Sequence, residues 1–298
     1  MRMTGLDRPA NARLPATACV IALLAAALSS SPALANVIQV AKAATGPGGS
    51  QCSLIDAINA ANDNKKTGAC PAGDDATNGG DEILLAPGTY KLSTADNSWY
   101  GPNGLPPITS RITIIGDPQG SIIMRDSSQG GSAFRIFYIG GGESLTGYNP
   151  PTDSSGNVIY SKLPGPGNLT LQNLTLQNGL AQGGDGGKGD PGNGGGGLGA
   201  GGAIYNQGTL TLDGVTLNGN AAIGGNGGGT STTTSSSGSP GGGGGMGGKG
   251  DNFGNGGGFS SNGAWPQSSS SPGTFGNGGD SKTTGGVGGG GGAGKNGG

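Results

Sequence analysis

The chain has 298 residues, a formal net charge of −2 and 72 glycines, which make up about a quarter of its length, where an average protein has about 7% glycine. It contains no histidine, the residue that most readily serves as a general base or metal ligand near neutral pH. Basic patches interleaved with aromatic residues are also missing, so nucleic acid is excluded as a partner. The glycine content further argues against one hydrophobic core running through the whole chain.

Residues 1–35 have the pattern of a secretory signal peptide. Three arginines precede an apolar run over residues 17–28, and this run is too short to span a bilayer. Residues 33–35 form an Ala-x-Ala cleavage site. An uncleaved anchor is the alternative. A lipoprotein is a weaker one, because Cys19 stands at the start of the apolar run instead of after it. We predict an exported protein without a transmembrane segment after cleavage.

Two cysteines remain in the chain after this segment, Cys52 and Cys70. In an exported protein an even pair predicts a structural disulfide rather than a metal or redox site, and free thiols are the alternative. The disulfide would contribute ~3 kcal/mol by restricting the unfolded chain.

One helix is predicted between these cysteines. Ser53 can act as its N-cap, with Asp56 three residues later in a variant of the capping box. Leu54, Ile58 and Ala61 then share one face at helical spacing. A short amphipathic helix at this place is expected to cap the first layer of strands that follows it.

Beyond the helix, short apolar strands are separated by turn residues, with no helical pattern between them. The clearest signal is a unit found over residues 167–184 and again 41 residues later, with nine of eighteen positions identical. In each copy two apolar pairs alternate with polar residues, and both pairs face inward only if the chain turns a corner between them. The predicted core residues are Leu169, Leu171, Leu174, Leu176, Leu210, Leu212, Val215 and Leu217.

A repeated strand–corner–strand unit with one apolar face is typical of a β-solenoid, and a β-sandwich is the structural alternative. Asn173, Asn178, Asn218 and Asn220 fall at or beside the corners, where asparagine tolerates a left-handed backbone. Surface loops are expected over residues 92–107 and 140–166, which are rich in Gly, Pro, Ser and Asn.

The chain is therefore predicted to have five parts. Residues 1–35 are the signal peptide, residues 36–181 the N-terminal cap and first β-helix coils, and residues 182–200 a glycine-rich insertion. Residues 201–225 form a further coil. Residues 226–298 are of low complexity and are predicted to be disordered, because they bury too little apolar area to offset backbone entropy of ~1–2 kcal/mol per residue.

The segment CSLIDAINAAN, residues 52–62, resembles the CSLREA motif that opens many exported bacterial β-helix proteins, with Ile55 and Asp56 where that family has Arg and Glu. The GGAI segment at residues 201–204 resembles the repeat of polymorphic outer-membrane proteins. Together these resemblances cover about residues 50–225. They imply an all-β, right-handed parallel β-helix on a secreted or outer-membrane-associated bacterial protein, often an adhesin or autotransporter passenger, and they bring no catalytic residues.

The predicted function is accordingly that of an exported cell-surface adhesin, passenger or structural component, without cofactor or metal, whose partner is a surface carbohydrate or a receptor on a host or neighbouring cell. The oligomeric state stays open. The alternative is a polysaccharide lyase or glycoside hydrolase, whose chemistry needs clustered carboxylates and a basic residue. The acids are scattered, and Arg111, Arg125 and Arg135 are expected to lie on a solvated face. A third hypothesis makes the glycine-rich part a flexible spacer that tolerates scrambling.

Overall fold

The computed structural model describes residues 37–74, 79–128, 131–142, 164–189, 192–229, 241–252 and 255–258. The predicted signal peptide lies outside these ranges, as do residues 143–163 of the predicted second loop and residues 259–298. The described part contains one helix and thirteen short strands. They are β1 Val37–Val40, α1 Leu54–Asp63, β2 Asp81–Leu85, β3 Gly88–Leu92, β4 Arg111–Ile115, β5 Ser121–Arg125, β6 Phe137–Ile139, β7 Asn168–Gln172, β8 Thr175–Gln177, β9 Leu180–Gln182, β10 Ile204–Asn206, β11 Thr209–Asp213, β12 Thr216–Asn218 and β13 Ala221–Ile223.

Helix α1 begins and ends at local capping signals. The Ser53 hydroxyl accepts a hydrogen bond from the Asp56 amide at 3.0 Å, and Asn64 ends the helix in the left-handed region at φ 52°. The predicted face of Leu54, Ile58 and Ala61 is fully buried, and the helix packs against β1, β2 and β4. Its apolar stripe therefore covers the first strands of the described chain.

A disulfide joins Cys52, just before α1, to Cys70, which follows it. The Asp56 carboxylate, in the first turn of α1, accepts a hydrogen bond from the Gly48 amide at 3.0 Å. Gly68 sits against this carboxylate at φ 57°, and a Cβ there would lie 2.6 Å from Asp56 Oδ2. Both flanks of the helix are thus fixed by covalent and polar contacts.

All paired strands are parallel, and they form four separate sheets. The order is β1-β2-β4-β7-β11 in the largest sheet and β12-β8-β5-β3 in the second, while β6 pairs with β10 and β9 with β13. The prediction of an all-β, right-handed parallel β-helix is wrong: small parallel sheets of five, four, two and two strands stand beside one helix, rather than one continuous solenoid. The Leu/Thr/Asn repeat that suggested a solenoid is confined to β7–β9 and β11–β13, and irregular connections separate most of the earlier strands.

The two copies of the repeated unit pair with each other in register. Leu210 lies beside Leu169, Leu212 beside Leu171 and Leu217 beside Leu176. The corners match as well, because Asn173 and Asn178 have φ values of 53° and 61°, and their counterparts 41 residues later are Gly214 and Gly219 at 61° and 63°. Asn and Gly are the residues that adopt this backbone at least cost.

The hydrophobic core runs between the sheets and helix α1 and ends at the last strands. Leu169, Leu171, Leu174 and Leu176 are at most 3% exposed, but Leu212 is 43% and Leu217 54% exposed, whereas Leu210 and Val215 are partly buried against the core. The prediction that Leu212 and Leu217 belong to the core is therefore wrong. The physical reason is that β11 and β12 are the terminal strands of their sheets, so no described strand lies beyond them.

The glycine-rich segments also carry regular backbone hydrogen bonds. Backbone hydrogen bonds join five of these segments to one another, namely residues 183–189, 192–200, 224–229, 241–252 and 255–258. The amide donors lie three residues apart in the pairs Gly184 and Gly187, Gly194 and Gly197, and Gly225 and Gly228. Three residues per turn is the period of the polyproline II conformation, which has no internal hydrogen bonds. Described parts of the stretch predicted to be disordered are thus hydrogen-bonded to the stretch predicted to be an insertion.

In the part of the chain that the structure describes, no helix combines the length and apolar character needed to cross a membrane.

Candidate functional site

A group of polar and aromatic side chains surrounds Arg135. It consists of Arg135 with Tyr100, Asn103, Tyr138 and Tyr205, and we call it the arginine–tyrosine cluster; Trp99 and Met246 complete its apolar side. The residues come from the loop before β4, from the segment leading into β6, from β6 and β10 themselves, and from a glycine-rich segment. Distant parts of the sequence meet here.

Residues 93–107, most of the predicted first surface loop, fold onto the strands through Asn103. This side chain is fully buried, and its amide nitrogen donates to Trp99 O at 2.8 Å, Gly101 O at 2.9 Å and Asn97 Oδ1 at 2.8 Å. The loop brings Trp99 and Tyr100 to 3% and 7% exposure. Much of this loop is therefore buried, which corrects the expectation of a surface loop.

Arg135 is held under this loop. Its Nη1 donates to Tyr100 O at 2.7 Å and to Asn103 Oδ1 at 3.2 Å, and its side chain is 1% exposed. Burial lowers the pKa of Arg135 to about 10, while Tyr205 and Tyr138 act in the opposite direction. The guanidinium therefore keeps its charge at neutral pH. Its Nε is buried without a hydrogen-bond partner among the described residues.

Three tyrosine rings share the site with this cation. Tyr138 in β6 and Tyr205 in β10 are register partners, and their rings stack 6.1 Å apart with 25° between their planes. The Tyr100 ring lies 5.6 Å from each of them, and the Arg135 guanidinium carbon lies 5.0 Å from the centre of the Tyr205 ring. The negative faces of the rings and the two oxygen acceptors compensate the buried positive charge.

A glycine-rich segment closes the other side of the cluster. Met246 is 8% exposed and packs with Trp99, Tyr100 and Tyr138. Gly101 has a φ of 105°, and a Cβ there would overlap the carbonyl oxygen of Met246 and lie 3.0 Å from Arg135 Nη2. The backbone approach is thus possible only without a side chain. The cluster is a packed junction between the loop, two strands and the glycine-rich segment.

The other basic residues considered from the sequence are placed differently. Arg111 is exposed. Arg125 is 8% exposed, donates from Nε to Asn178 O at 2.8 Å, and lies with its guanidinium 5.9 Å from the Phe134 ring centre. The expectation of one solvated arginine face is therefore wrong for Arg125 and Arg135, because backbone carbonyls and aromatic rings cover both.

Asp81, the first residue of strand β2, has a buried carboxylate. Its Oδ1 accepts the Asp74 amide at 2.6 Å, and burial raises its pKa above the ordinary value, with the charge of Asp74 adding to the rise and the hydrogen bond opposing it. Asp126 is half-buried, and Asp213 lies in an exposed position. Within the described ranges, no three residues of the types His, Cys, Asp and Glu come together in a group that could hold a metal ion.

Comparisons with protein-family models, with curated proteins and with solved structures found no match to this chain.

Sequence reasoning singled out the two cysteines, the helix face and the repeated leucines, and it missed the arginine–tyrosine cluster. One signal for it existed. The run FRIFYI, residues 134–139, has a single charge among apolar and aromatic residues, and all six of its residues are buried. An arginine within such a run has both neighbours in the core, so it must find oxygen acceptors or aromatic rings nearby.

Proposed function

We propose that the protein is exported and works at the cell surface or outside the cell as an adhesin, a passenger or a structural surface component. The observation that carries this proposal is the disulfide between Cys52 and Cys70 beside helix α1. Disulfides persist in oxidising compartments and are rare in the cytosol, where thiols are kept reduced. The signal-peptide pattern of residues 1–35 and the resemblance of residues 52–62 to the CSLREA segment of exported bacterial proteins support the same location.

The test of export follows the native protein with an antibody against residues 36–181. Cells are treated with a thiol-blocking reagent before lysis, and intact cells are treated with protease. Export predicts a band that lacks residues 1–35 and does not react with the reagent unless it is first reduced. Surface location predicts that protease removes the band from intact cells. A band that stays within protected, unbroken cells would contradict surface exposure.

A deletion of residues 1–35 provides the matched control. Without this segment the chain should stay in the reducing cytoplasm, and both Cys52 and Cys70 should then react with the thiol reagent without prior reduction. If the deleted and complete chains behave alike, residues 1–35 do not direct export and the proposal fails.

Binding is proposed toward a carbohydrate or a receptor on another cell surface. The purified chain, residues 36–298, is immobilised on beads and offered whole cells or cell-wall polysaccharide. An adhesin should retain one of these above the level of beads that carry a reduced and alkylated sample. Equal retention by both bead types would leave a structural role in the envelope, and release of shortened saccharides would instead establish an enzyme.

A further inference from the structure

Large hydrophobic side chains are exposed together at one end of the strands. Five such residues are exposed in the described part of the chain, and Leu212, Leu217 and Ile223 lie on the last strands β11, β12 and β13. A fourth, Leu198, precedes Gly199, which packs against the backbone of Ile223. Leu212 and Leu217 are the register partners of the buried Leu171 and Leu176, and we call β11 and β12 with these two side chains the open end. Clusters of exposed apolar side chains mark interaction surfaces on soluble proteins.

The backbone at the open end is also available for pairing. Strand β11 pairs with β7 on one side and is the last strand of its five-stranded sheet, and β12 is likewise last beyond β8. Native edge strands are usually protected by lysine, proline, bulges or a covering element. The sequences TLTLD and TLN of these strands contain neither lysine nor proline, and Asp213 is their one charged residue.

The pattern of β11 is complementary to itself in the antiparallel direction. With Thr211 at the centre, an antiparallel second copy places Leu210 opposite Leu212 and Thr209 opposite Asp213. The Thr209 hydroxyl can then donate to the Asp213 carboxylate of the second copy. A parallel copy in register would instead place the two Asp213 carboxylates side by side, which like-charge repulsion disfavours. The charge pattern therefore selects the antiparallel arrangement.

We propose that the open end is the interface of a symmetric homodimer, in which β11 of each copy pairs antiparallel about Thr211. This arrangement continues the five-stranded sheet from one copy into the other and covers Leu210 and Leu212 with the same leucines of the second copy. A two-fold contact pairs the β11 edge of one copy with the β11 edge of the other, so neither of these edges can add a third copy.

The first experiment changes the charge at the centre of the contact. Thr211→Lys or Thr211→Glu places like charges opposite each other, so either variant alone should dimerise at least about tenfold more weakly than the natural chain in sedimentation equilibrium. Mixing the two variants places opposite charges together and should restore the dimer. The matched control is Thr113→Lys, because Thr113 belongs to the same row of threonines two strands away, and it should leave dimerisation unchanged.

The second experiment fixes the direction of pairing by cysteine cross-linking in a Cys19→Ser background, with Cys52 and Cys70 left in their disulfide. Thr211→Cys should cross-link to itself on mild oxidation. Thr209→Cys and Asp213→Cys should each fail alone but cross-link when mixed. Circular dichroism of each variant establishes that the exposed substitutions leave the fold intact.

Four results would overturn the proposal. The natural chain could sediment as a monomer at the concentrations that favour association, or as an unlimited series of oligomers. The Thr211→Lys chain could dimerise as well as the natural one. Alternatively, Thr209→Cys could cross-link to itself as readily as Thr211→Cys, which would indicate parallel pairing.

Discussion

Replacing Gly194 by alanine should separate the glycine-rich segments, whereas the same change at the next residue, Gly195, should not. Gly194 is buried, and a Cβ on it would overlap the carbonyl oxygen of Gly242 and lie 3.0 Å from the Gly187 nitrogen. These neighbours are backbone atoms, which cannot rotate away as a side chain can. A Cβ on Gly195 would meet no atom within 4 Å.

The magnitude follows from the contacts that would be lost. The Gly194 amide donates to Gly187 O at 2.9 Å, and Gly194 O accepts from the Gly228 amide at 2.8 Å. At ~1 kcal/mol for each hydrogen bond the two together contribute ~2 kcal/mol. Overpacking adds ~1–3 kcal/mol. Gly195→Ala should be neutral or should stabilise by ~0.4–1 kcal/mol, through the lower entropy of the unfolded chain.

Hydrogen exchange followed by mass spectrometry measures this difference directly. The amides of Gly187, Gly194 and Gly228 should exchange at least about a hundredfold faster in the Gly194→Ala chain than in the Gly195→Ala chain, since every 1.4 kcal/mol is a factor of ten. The reasoning is refuted if the two variants exchange alike, or if these amides are already unprotected in the natural chain.

Three further predictions concern the strands and the helix. In the Thr211→Lys chain, in which the open end is not paired with a second copy, Leu176→Ala should cost ~2–5 kcal/mol of unfolding free energy in urea but Leu217→Ala less than ~1 kcal/mol, although both occupy the same repeat position; equal costs would show that Leu217 is covered within one copy. Burial raises the pKa of Asp81 in the folded state, so between its unfolded and folded pKa values the folded chain binds more protons than the unfolded chain. The unfolding free energy should therefore fall as pH rises through that window. Asp81→Asn should remove this slope in a pH series of urea unfolding, and an unchanged slope would assign the pH dependence to another group. Reducing the disulfide between Cys52 and Cys70 should lower the unfolding free energy by ~3 kcal/mol, because the reduced unfolded chain gains conformational entropy. Replacing both cysteines by serine should lower the unfolding free energy by as much, and a smaller loss would contradict this entropic explanation.

Local signals were enough to predict the helix. The N-cap at Ser53, the apolar spacing of Leu54, Ile58 and Ala61, and the polar residues from Asn62 onward lie within one short stretch, and the helix spans Leu54–Asp63. The corners of the repeat were equally local, since Asn173 and Gly214 adopt the left-handed backbone that few other residues tolerate.

Burial at the end of the sheets could not be predicted in this way. Leu176 and Leu217 have matching neighbours in sequence and are paired in the structure, but one is fully buried and the other 54% exposed. The difference depends on what lies beyond β12, which no pattern within the repeat contains. For the same reason the repeat alone led to a wrong prediction of the fold, because two matched copies do not make a continuous solenoid.

Arg135 shows a second limit of pattern-based reasoning. Alternation in residues 134–139 would place Phe134 and Ile136 inside and Arg135 in solvent, but both faces of this segment are buried. The face expected to be solvated is covered by the loop that carries Tyr100 and by Met246. These covering residues lie 35 positions before and more than a hundred positions after Arg135 in the chain, so sequence spacing does not reveal them.

The same contacts bear on what the glycine-rich segments are. Low apolar content predicted disorder on the premise that a segment must bury hydrophobic area to become ordered. Glycine offers another route, because backbones without Cβ atoms approach closely enough for amides and carbonyls of neighbouring segments to bond to each other, as they do in the described residues 183–189, 192–200, 224–229, 241–252 and 255–258. Met246 then anchors this array to the arginine–tyrosine cluster. A spacer that tolerates scrambling would need neither the glycine positions nor the methionine, so these contacts favour a fixed glycine-rich element packed on the strands.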